Sequence, residues 1–125
     1  MPRTALTVIE ARRTSTAITQ TSTGAETEYK FALTGKEFVI IENNSGSSKT
    51  CTFNEVSGFL SNAAYADNDV ATIADGAIKI CGPFVNSARW KQSDGMLYFD
   101  FSAAHADLTV AVCRNPDNAS EKDTK

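Results

Sequence analysis

The sequence is short of the groups that most chemistry needs. It has one histidine, His105, one tryptophan, Trp90, and three cysteines. Cys51, Cys81 and Cys113 stand far apart with no C-x-x-C pair, so neither a redox motif nor a paired-thiolate metal site is spelled out. An odd number of thiols argues against a secreted disulfide framework. Each cysteine adjoins strand-like residues and reads as a small buried hydrophobe. The opening Met-Pro-Arg-Thr-Ala-Leu-Thr-Val-Ile-Glu has no apolar core of the signal-peptide kind, so the expectation is a chain kept in a reducing cytosol. No apolar run exceeds four or five residues, far short of the ~20 that a membrane-spanning helix requires. Glycine-rich phosphate cradles are missing too: Ser45-Gly46-Ser47 lacks both the P-loop lysine spacing and a helix behind it.

What is present describes one domain. The 125 residues are 42% hydrophobic and 22% charged, which excludes bulk disorder. Area scaling gives about 6,500 Å² exposed when folded, about a third of the unfolded value, so a hydrophobic core needs no obligatory disulfide or metal. The net charge is −3, whereas a compact nucleic-acid binder usually carries a basic stripe, so no nucleic-acid partner is expected.

The texture is β. Thr4 to Glu10 alternates as a strand. Arg12 to Gly24 is Thr/Ser-rich with only Ala17 and Ile18 as an apolar pair, and reads as a polar edge strand or an extended arm. Glu28 to Leu33 sets Tyr29, Phe31 and Leu33 on one face. Glu37 to Glu42 reads as a central strand buried on both faces, and Asn43 to Ser48 as the turn of a hairpin whose second arm is Lys49 to Phe53. Asn54 to Asp69 is a long loop, functional or locally helical, holding Phe59, Leu60 and Tyr65. Val70 to Ile73 and Ala77 to Cys81 flank a hairpin-type turn at Asp75-Gly76, with Ile78 and Ile80 sharing a face. Phe84 to Gln92 is a crossover. Ser93-Asp94-Gly95 turns into Met96 to Ser102, and Leu108 to Cys113 is the last strand. Short strands with turn signals every 8–12 residues or so predict an all-β, single-domain β-sandwich, jelly-roll-like. The division is an N-terminal arm and edge strand over 1–24, a sandwich over 25–114, and a disordered polar tail over 115–125.

Candidate chemistry is sparse. His105 could pair with a cysteine, or with a serine and Asp107, but in Ala-Ala-His-Ala-Asp it reads as a solvated turn residue. Asp67-Asn68-Asp69 resembles the start of a calcium loop, yet Thr72 and Ile78 occupy the positions of its glycine and closing glutamate, so the pattern fails. No catalytic residue, metal site or cofactor is predicted. Arg3, Arg12 and Arg13 against Glu10 make the start of the chain locally basic, suited to an acidic partner surface. The aromatics of the 59–65 loop suit a contact. Trp90 and Tyr98 could form a sugar-stacking platform, although a core position for Trp90 is the preferred reading.

Four segments point further. Pro-Arg-Thr-Ala-Leu-Thr-Val at 2–8, Gly-Lys-Glu-Phe-Val-Ile-Ile-Glu-Asn-Asn-Ser-Gly at 35–46, Ile-Cys-Gly-Pro-Phe at 80–84 and Ser-Asp-Gly-Met-Leu-Tyr-Phe-Asp-Phe-Ser at 93–102 occur in this order. In them the chain resembles a group of small virion proteins of tailed bacteriophages found among head-assembly genes, whose better understood relatives by role are capsid decoration, or cement, proteins. The resemblance covers residues 2–114 and departs at Asn54 to Asp69 and in the charged tail. It implies a non-enzymatic structural protein on the capsid surface of the virion, made in the host bacterial cytoplasm. Its implied partner is the major capsid protein, with a homo-oligomer, dimer or trimer, at a capsid symmetry axis. No nucleic acid or membrane is implied. The capsid contacts are then expected at Pro2, Arg3, Arg12 and Arg13 of the arm and at Phe59 and Tyr65, and deleting residues 1–20 should leave a folded domain that no longer decorates shells. Rival readings are another virion sandwich (neck, tail or fibre-associated) and a carbohydrate-binding module.

Overall fold

Alternation along Met96–Phe101 sets the first building block. Leu97, Phe99 and Phe101 are buried while Met96, Tyr98 and Asp100 stay nearer the surface, the period of two that sends successive side chains to opposite faces. The computed structural model describes residues 3–10, 17–56, 69–84 and 87–114. Within them the strands are β1 (Thr4–Ala5), β2 (Val8–Glu10), β3 (Thr21–Ser22), β4 (Glu28–Ala32), β5 (Glu37–Asn43), β6 (Lys49–Asn54), β7 (Asp69–Ile73), β8 (Ile78–Cys81), β9 (Met96–Phe101) and β10 (Leu108–Arg114), with one short helix, α1 (Ser87–Trp90). The fold is an all-β single domain.

The strands form two sheets. The first has the order β1-β4-β9-β6-β7 and the second β2-β10-β5-β8, with β3 also paired to β10. Both are mixed, because β1 runs parallel to β4 and β2 parallel to β10. Between them lies an aromatic core. Phe99 stacks on Tyr29 at 5.7 Å and lies 5.6 Å from Phe53, and Phe84 stands 4.8 Å from Phe53 and 5.3 Å from Trp90. Such offset and edge-on pairs suit the ring quadrupoles and add to the area they bury. Val39, Ile41, Leu108, Val110 and Val112 supply the opposite wall from β5 and β10. Cys51 and Cys113 are buried and Cys81 is half-buried, all as free thiols.

Several local expectations are corrected. Thr4 to Glu10 is two strands in two sheets, and the chain changes sheet at Leu6 and Thr7. Leu6 donates its N–H to the Lys30 carbonyl at 2.8 Å, and Leu6 and Val8 pack on the core. This crossing bridges one side of the sandwich.

Neither Asn43 to Ser48 nor Asp75-Gly76 makes a hairpin. β5 and β6 lie in different sheets, as do β7 and β8, so both turns are arches from one sheet to the other. The reason is Asn43, fully buried, whose Nδ2 donates to the carbonyls of Ser47 and Ile73, both at 2.8 Å. Its backbone binds Gly76 and Ala77, and Asp75 Oδ1 accepts from the Gly46 N–H at 2.9 Å. The Ser47 bond lies within the turn itself, whereas the Ile73 bond is long-range and ties this turn to the end of β7, a bond to a buried amide being costly to leave unmade. The stacked arches bridge the other side of the sandwich.

β5 is an inner strand, as expected, but only one face is fully buried; Phe38, Ile40 and Glu42 are half-buried on the other. The turn at Asp94-Gly95 joins α1 to β9 rather than two strands.

Candidate interaction surfaces

The outer face of the first sheet is polar and internally paired. Register sets Lys30 and Asn54 on either side of Tyr98, and Glu28 and Thr52 on either side of Asp100. Arg3 lies across this face: it pairs with Asp100, donates to the carbonyls of Phe99 at 3.3 Å and Tyr29 at 3.4 Å, and holds its guanidinium carbon 4.6 Å from the Tyr98 ring centre. Asn54 Nδ2 donates to the other Asp100 oxygen at 3.0 Å. Lys30 pairs with Asp94 at 3.3 Å, and the Tyr98 hydroxyl donates to the same carboxylate at 2.9 Å. The Asp94 bond is the first cause of a raised Tyr98 pKa. Asp94 itself is lowered: desolvation pushes it up, but the bonds from Tyr98, Met96 N–H and Lys30 outweigh that.

At one end of the sandwich stands a second charge cluster. Glu37 is fully buried, with its carboxylate accepting from Thr34 N–H and Thr34 Oγ1, both at 2.7 Å, from Gly35 N–H at 3.2 Å and from Lys36 N–H at 3.3 Å. Burial alone would raise its pKa, yet these donors lower it; a carboxylate ringed by N–H groups is favoured as the anion. Arg114 reaches Glu37 at 3.6 Å and donates to Glu10 at 2.5 Å, joining the end of β10 to the start of β5 and the end of β2.

The second sheet presents a different outer face. By register, Ile80 lies beside Ile40 and Ile40 beside Ala111, while Phe38 lies beside Cys113 and Cys113 beside Ile9. Ile78 and Ile80 share a face, as the sequence predicts, and it is the outward one: they are 61% and 67% exposed.

Of the expected contact residues, Arg3 alone falls among the described ones; Pro2, Arg12, Arg13, Phe59 and Tyr65 lie outside them. Arg3 is engaged by its own domain. Trp90 and Tyr98 do not share a platform: Trp90 is 5% exposed in the core, whereas Tyr98 faces outward beneath Arg3. His105 Nδ1 accepts from the Asp107 N–H at 3.0 Å, and its backbone exchanges bonds with the buried Thr23 hydroxyl, so its place is in organising a turn. Burial raises the pKa of all three thiols, Cys51 most strongly, which works against thiolate chemistry. Among the described residues no group of three or more His, Cys, Asp or Glu is placed to hold a metal ion, and no helix is long and apolar enough to cross a membrane.

The reading from sequence missed Glu37, Arg114 and the outer face of the second sheet. Its signal was there: Phe38-Val39-Ile40-Ile41 is apolar in both phases of a strand, and only one phase is needed for the core. No protein-family model matches the chain, and no curated protein or solved structure matches it either.

Proposed function

We propose that this chain is a structural virion protein: a decoration, or cement, protein that binds the outer surface of a tailed-phage head and bridges neighbouring major capsid subunits. The sequence resemblance over residues 2–114 suggests it, and the observation that carries it is the fixed polar array on the outer face of the first sheet. Arg3, Lys30, Asp94 and Asp100 are held around Tyr98 by one another, so a partner meets preformed charges and pays little ordering cost. With both sides of the sandwich bridged by the chain, the scaffold behind that array suits a protein that must resist outward strain on a shell. Bridging itself supplies affinity, because contacts to two subunits from one rigid body add through effective concentration.

Labelling the protein in intact virions and imaging them tests this. Label spread regularly over heads is the expected result. Label confined to necks, tails or fibres would assign the chain to another virion part, and none on virions would overturn the reading.

A further inference from the structure

We infer that β8 is a docking edge, to which an extended segment of a different protein adds as an antiparallel strand, with an acidic side chain opposite Lys79 and apolar or β-branched ones on either side of it. This goes beyond the capsid reading and does not depend on it.

The backbone comes first. β8 ends the second sheet and, among the described residues, pairs with β5 alone. The Asn43 N–H donates to the Ala77 carbonyl at 3.0 Å, so the pair next to Glu42 and Ile78 in the register is a hydrogen-bonded one. Such pairs alternate along an antiparallel ladder. Lys79 and Cys81 therefore direct their backbone groups to β5, and Ile78 and Ile80 turn theirs outward. Two N–H groups and two carbonyls stand in a row on the free edge. Ile78 and Ile80 are 61% and 67% exposed, and Lys79 between them is exposed as well, so the edge is open to a partner.

Lys79 says what kind of partner. Register sets it beside Ile41, a fully buried core residue, in the phase that turns toward the space between the sheets. A side chain serving the core would be apolar there. Lys79 is exposed instead and has no ion-pair partner among the described residues. Glu42, in register with Ile78, projects in the other phase and is bound by Gln20 and Asn44, both at 3.1 Å. An unpaired cation on an open edge is complementary to a carboxylate, because opposite charges facing each other across a ladder stabilise the pair.

The same cation excludes the chain's own β8. An antiparallel pair of two copies that uses every free group sets Ile78 opposite Ile80 and Lys79 opposite Lys79, and like charges so placed disfavour it. Edge lysines protect sheets against such pairing, but that protection does not act against a strand carrying an acid. The occupant is therefore a different chain with an apolar–acidic–apolar alternation. Backbone bonds give it affinity and the facing side chains give selectivity. With bonds at two edge residues only, a short peptide is a weak ligand, in about the millimolar range.

Titration of the full chain with acetyl-Thr-Val-Glu-Val-Thr-amide, followed by amide NMR, tests the inference. Saturable shifts are expected at Ile78 to Cys81 and at their β5 partners, with slowed hydrogen exchange at the Ile78 and Ile80 amides. The same peptide with lysine in place of glutamate should bind about tenfold more weakly. K79E, at an exposed position, should keep the parent's thermal melt and reverse that preference. N-methylation of both valines, which would sit opposite Ile78 and Ile80, should abolish binding by removing the donors to the edge carbonyls. An absence of shifts at β8, equal affinity for the acidic and basic peptides, or undiminished binding of the N-methylated peptide overturns the inference. So does a free chain that dimerises with the Ile78 and Ile80 amides already protected, which would give the edge to a second copy.

Discussion

The guanidinium of Arg3 stands over the ring of Tyr98, its central carbon 4.6 Å from the ring centre, and pairs with Asp100 in the same strand. The start of the chain is therefore bound to its own sandwich through a stacked cation and an ion pair. β1 and β2 continue that attachment along the edges of β4 and β10. This changes what truncation should do. R3A is expected to lower unfolding free energy by about 1 kcal/mol, the scale of a partly buried ion pair with a cation–π contact. Removing residues 1–10 also strips Leu6 and Val8 from the core, and should cost roughly 2–4 kcal/mol. Urea denaturation of the three proteins checks both; unchanged midpoints would contradict the attachment.

Glu37 should make stability depend on acid. Its folded pKa lies below the ordinary carboxylate value, so its contribution is complete above that ordinary value and is lost as pH falls through the depressed one. E37Q keeps an oxygen for the N–H groups of Thr34, Gly35 and Lys36, which all meet Oε1, but removes the negative charge that strengthens those bonds and puts an amide where Oε2 accepts from the Thr34 hydroxyl and faces Arg114. The variant is expected to lose about 2–4 kcal/mol at pH 7. The gap between parent and variant should narrow under acid conditions, which urea melts at several pH values will measure. A gap that is constant with pH would exclude Glu37 as the titrating group.

Gly82 is required for two independent reasons. Its φ is +107°, and a Cβ there would stand 3.0 Å from Phe84 Cε2 and 3.1 Å from the Glu37 carbonyl oxygen. Gly46 has a similar φ of +98° but open space around it. G46A should cost about 1–2 kcal/mol, the price of the left-handed region alone, whereas G82A should cost distinctly more. Thermal denaturation of the pair isolates the steric part; equal losses would mean that the neighbours of Gly82 yield freely.

Trp90 offers an optical test of the core assignment, because it is the only tryptophan and is 5% exposed. Native emission should be blue-shifted and slowly quenched by acrylamide, and W90A should lose about 3–5 kcal/mol. Red, easily quenched emission together with an unaffected melt would return Trp90 to the surface and reopen a sugar-stacking role.

Alternation made much of this fold legible. Glu28 to Leu33 and Met96 to Ser102 each become a strand whose apolar face turns inward, because a period of two is a local property of the chain, and Leu108 to Cys113 becomes the last strand. Partner choice is not local. Asn43 and Asp75 look like ordinary turn residues, and only their bonds to Ile73 and Gly46 make arches out of apparent hairpins. Thr4 to Glu10 reads as one strand, yet both sheets use it at an edge. The sites divide in the same way. Arg3 is visible as a basic residue near the start, but Asp100 lies 97 positions away and nothing in the sequence pairs them. Glu37 looks like a strand-boundary charge, since its burial depends on how the 33–36 turn folds over it.

Cosedimentation of the purified protein with empty, expanded phage shells tests the central claim most directly. The account predicts saturable binding at a fixed ratio to the major capsid subunit, with negative-stain images showing density on the outer surface. A protein that stays in the supernatant at every ratio, or pellets without saturating, would contradict it.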